Sequence, residues 1–277
     1  MARLLAPGLS TALRRPIIIE NVPGANGAIG MMRLKVAGPD ERLLVLASDH
    51  ASLLSPLTSS TAQYHTRRDF RVVGHVARHP YALAVLNDGT VRSLSELRAR
   101  LRAQPATASI AVPAEGGVPE AIAAALELSS GVDVAVVPYR GGQPAAMALL
   151  GGQVSAAALG LSNVLALHKE GRVRILALTG SQRWPGLHQV PTFEEQALQG
   201  LAMTSSWTVF AAKNSTMDLA EINRAMQHVL SSASVQARLR ALGLDPAPMG
   251  MADSAAELDR AGSQWLRASG DRSLPIH

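Results

Sequence analysis

The sequence predicts an α/β protein in which strands alternate with helices and form mostly parallel sheets. Short apolar, β-rich runs recur along the 277 residues, and most of them lead through a Gly-bounded turn into a helical segment. Aromatic residues make up only 3% of the chain, so the core must be built from Ala, Val, Leu and Ile. This length fits two α/β lobes better than one.

The amino-terminal part of the chain predicts the following elements in order. A helix at the start carries four leucines on one face, namely Leu4, Leu5, Leu9 and Leu13. A strand at 16–20, a helix at 25–36 and strands at 43–48, 71–77 and 81–87 follow. The run at 43–48 is apolar and bounded by charge, which is typical of a buried parallel strand.

The middle and end of the chain continue the alternation. A helix at 93–104 has a capping box of Ser93 and Glu96, with leucines at 94, 97 and 101. Strands are predicted at 109–113, 134–139, 153–159, 174–179 and 205–213. Helices are predicted at 118–128, 143–150, 162–169, 192–198, 218–231, 234–242 and 252–269, with Leu258, Trp265 and Leu266 facing a core.

Composition excludes several classes of protein. The net charge of +5 favours anions, but no basic stripe stands out, so we predict a solvated basic surface and no nucleic-acid binding. Cysteine is absent, which excludes disulfides, thiolate catalysis and Cys-based zinc sites. No uncharged apolar run approaches about 20 residues, so no transmembrane helix is expected.

Catalytic and cofactor patterns are missing from the sequence. There is no HExxH, GxSxG, Walker or SxxK pattern, and the eight histidines are dispersed. We therefore expect no catalytic residues, no metal and no cofactor. Gly24, Gly27 and Gly30 form GxxGxxG between a predicted strand and helix. This pattern fits either an anion site or a tight turn with close helix packing.

Four loops follow predicted strands and lead into helices, which is where open α/β sheets bind ligands. They are SDHAS (48–52), VPAEGG (112–117), YRGG (139–142) and GLSN (160–163). Free amides at helix N-termini can bind a carboxylate without arginine. Ser48, His50, Ser162 and Asn163 would add side-chain donors. The alternative is that these residues are ordinary helix caps and turns.

Several segments, in order along the chain, resemble one family of receptors. They are IIIENVPGANGAIG, SLSELRAR, VPYRGGQPAAMALLGGQV, GRVRILALTGSQRWPGLHQVPTFEE, SSWTVFAA and RLRALGLDPAPM. The chain resembles the Bug family, the TctC-like extracytoplasmic solute receptors of tripartite tricarboxylate transporters. The resemblance covers essentially the whole chain, and the VPYRGG…LLGGQV block is specific to that family.

The resemblance implies a two-lobe type II periplasmic-binding-protein fold, with a central cleft that closes on a small organic carboxylate. Lobe 1 would comprise 1–79 and 203–277 and lobe 2 would comprise 80–202, with hinge strands near 80 and 205. It further implies a periplasmic protein that is not an enzyme and delivers its solute to membrane permease subunits. We expect a monomer, because the receptor must hinge freely.

Site residues carried over from the family fall on the same loops. They are Ser48, Asp49, His50, Ala51, Pro113, Ala114, Glu115, Gly116, Gly117, Val118, Gly160, Ser162 and Asn163, and the resemblance further implies that Ser206 and Trp207, near the returning strand, line the same cleft. Glu115 stands where the family commonly has a small or neutral residue. Facing the cleft, it would repel an anion and favour an amide or a cation, and we expect it to point to solvent.

Two other departures from the family pattern leave alternatives open. The family's signal peptide, first strand and Pro/Gly-rich loop have no counterpart in this sequence, and Asp40-Glu41-Arg42 replaces a usual DG-Y-T turn. The chain would then be a transport receptor, a ligand sensor for a signalling partner, or a truncated copy that binds nothing. An α/β enzyme would have to use Asp49, His50 and Glu115.

Overall fold

The structure is a computed structural model that describes residues 1–58 and 62–269, with the backbone alone for Thr58 and 265–269. Its strands are β1 Leu44–Ser48, β2 Phe70–His79, β3 Tyr81–Leu86, β4 Ser109–Val112, β5 Ala135–Pro138, β6 Ala156–Gly160, β7 Val173–Leu178, β8 Ser205–Ala212 and β9 Asp245–Pro246. All the predicted strands except 16–20 are present, and the short β9 is an addition.

The helices match the predicted order. They are α1 Ala2–Leu13, α2 Ala28–Lys35, α3 Ser55–Thr58, α4 Thr66–Asp69, α5 Leu94–Ala103, α6 Val118–Ser130, α7 Gly142–Leu150, α8 Leu161–Lys169, α9 Leu219–Ser231, α10 Ala233–Ala241 and α11 Met251–Ser269. The helix predicted at 192–198 is shorter and consists of one 3₁₀ turn, Glu194–Gln196.

The chain forms two compact units. Unit 1 comprises Met1–Arg78 together with the chain from Ser205 onwards, and unit 2 comprises His79–Thr204. The sequence placed the limits between residues 79 and 80 and between 202 and 203. In the sequence, unit 2 is thus an insertion between two segments of unit 1.

The sheet of unit 1 has the strand order β1-β8-β2-β9. β1 is antiparallel to β8, with Ser48 opposite Trp207 and Leu44 opposite Ala211, and β2 is antiparallel to β9. The prediction that β1 is a buried parallel strand is therefore wrong, because a half-buried apolar run fits either direction. The expectation of a mostly parallel sheet is likewise wrong for this unit.

Helices cover both faces of this sheet. Leu5 of α1 and Met226 of α9 share a hydrophobic cluster with Ala211 of β8. Met31 of α2 shares another with Phe210, the neighbour of Ala211 along the strand. Because successive side chains of a strand point to opposite faces, the two clusters lie on opposite sides of the sheet.

α11 follows the outer edge of β2. The backbone N–H of His75 donates to Ser254 Oγ at 2.9 Å, and Arg78 pairs with Glu257 at 2.6 Å. Leu258 is buried, as predicted. The predicted core positions Trp265 and Leu266 lie outside the residues whose side chains are described.

Residues 16–20 do not form a strand, so that prediction is wrong. The N–H of Ile17 donates to Ser10 Oγ at 3.0 Å, and Glu20 pairs with Arg33 at 2.6 Å. Ile18 is 89% exposed. A β-rich run becomes a strand only where a neighbouring strand accepts its ladder, and sequence propensity alone does not supply one.

The sheet of unit 2 has the order β5-β4-β6-β3-β7. β4 is parallel to β5 and β6, whereas β3 is antiparallel to β6 and β7. The sheet is mixed, but β4, β5, β6 and β7 all run in one direction and β3 alone runs against them, so most of its strands are parallel, as expected. Its core contains mainly small aliphatic side chains, such as Ala111, Ala157, Leu159 and Val164, as the low aromatic content predicts.

β5 is an edge strand whose open side is protected. Its inner amides pair with β4 and the residue before it, since Ala135 donates to Ala108 O and Tyr139 donates to Val112 O. The alternate residues, Val136 and Pro138, turn their backbone outward, and Pro138 has no N–H to offer. A proline at this position discourages pairing with another strand.

The capping box of α5 forms as predicted. Ser93 Oγ accepts the N–H of Glu96 at 3.1 Å, and the Glu96 carboxylate accepts the N–H of Arg92 at 2.5 Å. The return bond thus comes from one residue before the cap. The three leucines of this helix are buried.

Candidate functional site

Three of the predicted loops lie at the same end of the unit 2 sheet, where β4, β5 and β6 reach their carboxyl ends. Because β4, β5 and β6 are parallel, the segments that follow them, 113–118, 139–142 and 160–163, leave the sheet at the same side. The first two segments are joined directly, since the N–H of Gly141 donates to the carbonyl of Pro113 at 2.9 Å. The structure therefore brings together the unit 2 residues that the sequence predicts.

Asn163 connects the loop after β6 with the start of α7. Its Nδ2 donates to the carbonyl of Gly160 at 3.2 Å. A Cβ added at Gly142 would lie 2.4 Å from Asn163 Cγ and Oδ1, so the amide rests on the glycine backbone. Ser162 is exposed at the start of α8. Asn163 is thus more than a local helix cap.

The loop before α6 is built on two glycines. Gly116 and Gly117 have φ values of +78° and +95°, a region that favours glycine. The N–H of Gly116 donates to Glu120 Oε1 at 2.7 Å. Glu120, which the sequence did not single out, therefore occupies one of the amides counted as free for an anion.

The side chains of this loop differ in exposure. Glu115 is exposed, Pro113 and Ala114 are half-buried, and Val118 is buried at the first position of α6. Glu115 is thus solvated. The direction of its carboxylate toward or away from a bound solute stays a prediction.

His79 is a neighbour of the loop after β6 that the sequence did not identify. A Cβ added at Gly160 would lie 3.1 Å from His79 Nε2, and the His79 ring is 5.4 Å from that of Tyr81. Burial lowers the pKa of His79 to about 4, so the imidazole is neutral at pH 7. The signal available in the sequence was its position beside Pro80, where two strands meet.

The unit 1 segment 48–51 lies beside the start of β8. Ser48 is opposite Trp207 in the sheet, so Asp49 falls next to Ser206. Ser205 Oγ donates to Asp49 Oδ1, and the N–H of Ser206 donates to Asp49 Oδ2 at 3.0 Å. Burial raises the pKa of Asp49 to about 6, although these hydrogen bonds favour the ionised form.

Two side chains from elsewhere in unit 1 hold the backbone of residues 51 and 52. The segment 48–51 continues into a π-helical turn, His50–Leu54, a geometry often found at functional positions. Tyr64 OH donates to the carbonyl of Ala51, and Thr66 Oγ1 donates to that of Ser52. Burial lowers the pKa of the His50 imidazole. The sequence did not single out Tyr64 and Thr66, because their partners are more than ten residues away.

The GxxGxxG segment forms a tight turn against the same loop. Gly24, Ala25, Asn26 and Gly27 all have positive φ values. A Cβ on Gly27 would lie 2.8 Å from Ala51 Cβ, so glycine is needed there for close packing as well as for its φ of +94°. Of the two interpretations left open by the sequence, this geometry supports the packing role.

Titratable side chains do not assemble into a metal site in the part of the chain that the structure describes, where no group of three His, Asp or Glu residues could hold an ion. Of the three residues considered for an enzyme, Asp49 bonds with Ser205 and Ser206, and Glu115 is an exposed residue of unit 2. No helix among residues 1–58 and 62–269 is long and apolar enough to cross a membrane.

Comparison with known proteins agrees with this fold. The family model described as "Tripartite tricarboxylate transporter family receptor" matches residues 1–261. Protein BugT of Bordetella pertussis is 29% identical over 248 residues, covering 89% of this chain and 76% of BugT. The chain therefore belongs to the tripartite tricarboxylate transporter receptors, a family of solute-binding proteins and not of enzymes.

Two solved structures are similar over nearly their full length. One is Rpa4515 of R. palustris with adipate, with a TM-score of 0.90 and 26% identity, covering 97% of this chain and 90% of that one. The other is MatC of Rhodopseudomonas palustris with bound malate, with a TM-score of 0.84 and 27% identity, covering 96% and 92%. The predicted α/β receptor fold and the family assignment are thus confirmed.

Proposed function

We propose that this protein captures a small organic carboxylate or dicarboxylate for a tripartite tricarboxylate-type transporter. The observation that carries the proposal is the similarity over nearly the whole chain to receptors whose structures contain adipate and malate. The net charge of +5 supports it, because a positive field favours the approach of anions.

In unit 2, we propose that the solute contacts the edge formed by 113–118 and 160–163. The N-termini of α6 and α8 lie there, and exposed Ser162 and half-buried Asn163 supply hydroxyl and amide donors. Helix N-termini and neutral donors bind a carboxylate without a paired arginine. Glu120 already accepts the Gly116 N–H, so this amide is not free. Of the two loops, the one after β6 therefore offers the better hydrogen-bond donors to a solute carboxylate.

In unit 1, we propose that the backbone of 48–51 and the half-buried indole of Trp207 contact the solute. Ser48 and Trp207 face each other across the β1–β8 pair, so both belong to one end of the sheet.

We further propose that the two units are the two lobes of the receptor and that it acts in the periplasm as a monomer. The protected β5 edge supports the monomer, and membrane permease subunits are the proposed partners.

A thermal-shift and calorimetric series tests the function. Adipate, malate and the corresponding diamides are titrated into the full chain; a ligand that binds only the folded state raises the melting midpoint. We expect at least one carboxylate to shift the midpoint and its diamide to do so less. A cooperative melt that no carboxylate shifts contradicts the proposal.

Paired variants locate the binding loop. Ser162→Ala combined with Asn163→Ala removes two donors, so we expect affinity to fall by about tenfold or more while the chain still melts cooperatively. Ser95→Ala changes an exposed serine of α5 in the same unit and serves as the matched control. Equal affinities in the variant and the control exclude the loop after β6 from the site.

A further inference from the structure

The carboxylate of Asp49 is buried in unit 1 and hydrogen-bonded there. Asp49 is 2% exposed, and its two oxygens accept hydrogen bonds from the Ser205 hydroxyl and the Ser206 N–H, one bond to each oxygen. The bonds join the segment after β1 to the first two residues of β8. In the sequence these partners are 156 and 157 residues apart.

The residue held by Asp49 has a hydroxyl that needs a partner. Ser206 is buried, and its Oγ has no hydrogen-bond partner among the described residues. Buried hydroxyls are nearly always bonded to protein, water or ligand. Asp49, which accepts the Ser206 N–H, belongs to the segment 48–51 that is proposed to contact the solute. The Ser206 hydroxyl therefore lies next to that segment, on the face of the sheet opposite to the Trp207 side chain, and is suited to bind the solute.

We propose that Asp49 is a positioning residue: its carboxylate fixes the start of β8 so that the Ser206 hydroxyl is placed to bind the solute. This inference rests on the proposed carboxylate-binding function. It assigns Asp49 no direct contact with the solute, unlike the sequence prediction, and it gives Ser206, which the family resemblance already placed at the cleft, a hydroxyl contact with the solute that depends on Asp49.

The geometry distinguishes two substitutions of Asp49. In Asp49→Asn, the amide oxygen accepts the Ser206 N–H and the amide NH₂ donates to Ser205 Oγ. The Ser205 hydroxyl then accepts where it donated before, which a hydroxyl can do. Both links are retained. In Asp49→Ala, both links are lost, and the Ser205 hydroxyl and Ser206 N–H become buried donors without a partner.

Titratable neighbours do not complicate this comparison. The groups that act on the Asp49 carboxylate are the Ser205 hydroxyl and the backbone N–H groups of Ser206, His50 and Asp49 itself. His50, the adjacent side chain, has a lowered pKa through burial and is neutral at pH 7. Experiments at pH 7.5 therefore compare Asp49 variants at a constant charge of their surroundings.

The binding test uses calorimetry on the full chain with adipate and malate. We expect Asp49→Ala and Ser206→Ala each to weaken binding by about tenfold, and Asp49→Asn to recover most of the loss seen in Asp49→Ala. Ser254→Ala removes another buried hydrogen bond of unit 1, to the His75 N–H, and controls for general destabilisation. Asp49→Ala binding as tightly as Ser254→Ala overturns the inference.

Hydrogen exchange of the free protein tests the positioning step without any solute. We expect the Ser206 amide to exchange faster in Asp49→Ala than in Ser254→Ala, and Asp49→Asn to protect it nearly as well as the wild type. Equal exchange in all four proteins refutes the positioning role even if no probe binds. Protection that depends on Asp49, together with no binding of either acid, instead contradicts the proposed function alone.

Discussion

Asn163 rests on Gly142: a Cβ placed on this glycine, the first residue of α7, would lie 2.4 Å from the amide oxygen of Asn163. The contact joins the loop after β6 to the helix after β5, so two of the loops at this sheet edge are held together by one amide and one absent side chain. Asn163 also donates to Gly160 O, which fixes the amide from its other end.

Gly142→Ala should therefore displace the Asn163 side chain. Overpacking of this kind costs about 1–3 kcal/mol of folding stability unless the neighbouring side chain moves. Asn163 is only half-buried, so its side chain can move. We expect weaker carboxylate binding with little change in the melting midpoint. Gly38→Ala, where a Cβ would meet nothing within 4 Å, is the control. If calorimetry gives the same affinity for Gly142→Ala and Gly38→Ala, this contact has no role in binding.

The ionisation of Asp49 should reduce stability as pH rises. Its pKa is about 6 in the folded chain and 3.8 in the reference state, so the folded state binds the extra proton between these values. The free energy of unfolding should fall by about 3 kcal/mol over that window in the wild type relative to Asp49→Asn. Denaturant titrations at pH 4 to 7 measure the difference, and parallel curves for the two proteins would refute it.

The titration of His79 should have the opposite effect on stability, which should fall as pH drops over nearly the same range. Its pKa falls from 6.5 to about 4 on folding, so the unfolded chain binds the extra proton and stability is lost as pH drops from 6.5 toward 4. His79→Gln should flatten this acid limb by about 3 kcal/mol, whatever its effect at pH 7. The exposed His228→Gln is the matched control, and an unchanged limb in His79→Gln counts against the burial effect.

Glu115→Gln tests whether this exposed carboxylate faces the solute. If it does, removal of the charge should strengthen dicarboxylate binding about two- to fivefold, with a larger gain at low salt, since exposed charges are screened. We expect no change, because Glu115 is exposed and we predict that its carboxylate points away from the solute. The corresponding variant Glu194→Gln changes a carboxylate in a different turn of unit 2 and shows the effect of net charge alone. A gain specific to Glu115→Gln would place its charge at the site.

Local patterns predicted most of the elements. The capping box at Ser93, the leucines behind it and the apolar runs that became strands are signals that neighbouring residues complete by themselves. Strand direction was harder, since β1 pairs with β8 from the far end of the chain. The run at 16–20 has the composition of a strand, yet no described strand pairs with it.

The candidate site was predictable as a set of loops but not as a set of contacts. Strand-to-helix order located 113–118, 139–142 and 160–163, and the parallel strands put them on one edge. The link from Asp49 to Ser205 spans 156 residues, and nothing in either local sequence indicates it. Glu120 lies close by, but a glutamate in a first turn is equally typical of a simple helix start.

The insertion of unit 2 within unit 1 has a consequence for biosynthesis. All residues of unit 2 have been synthesised once Thr204 is added, whereas β1 must wait for β8, which begins at the next residue. Until then both edges of β1 are unpaired and its apolar side chains lack their partners, which favours aggregation. Unit 2, being continuous, can fold first, and the nascent amino-terminal segment is the part of the chain that most needs a chaperone.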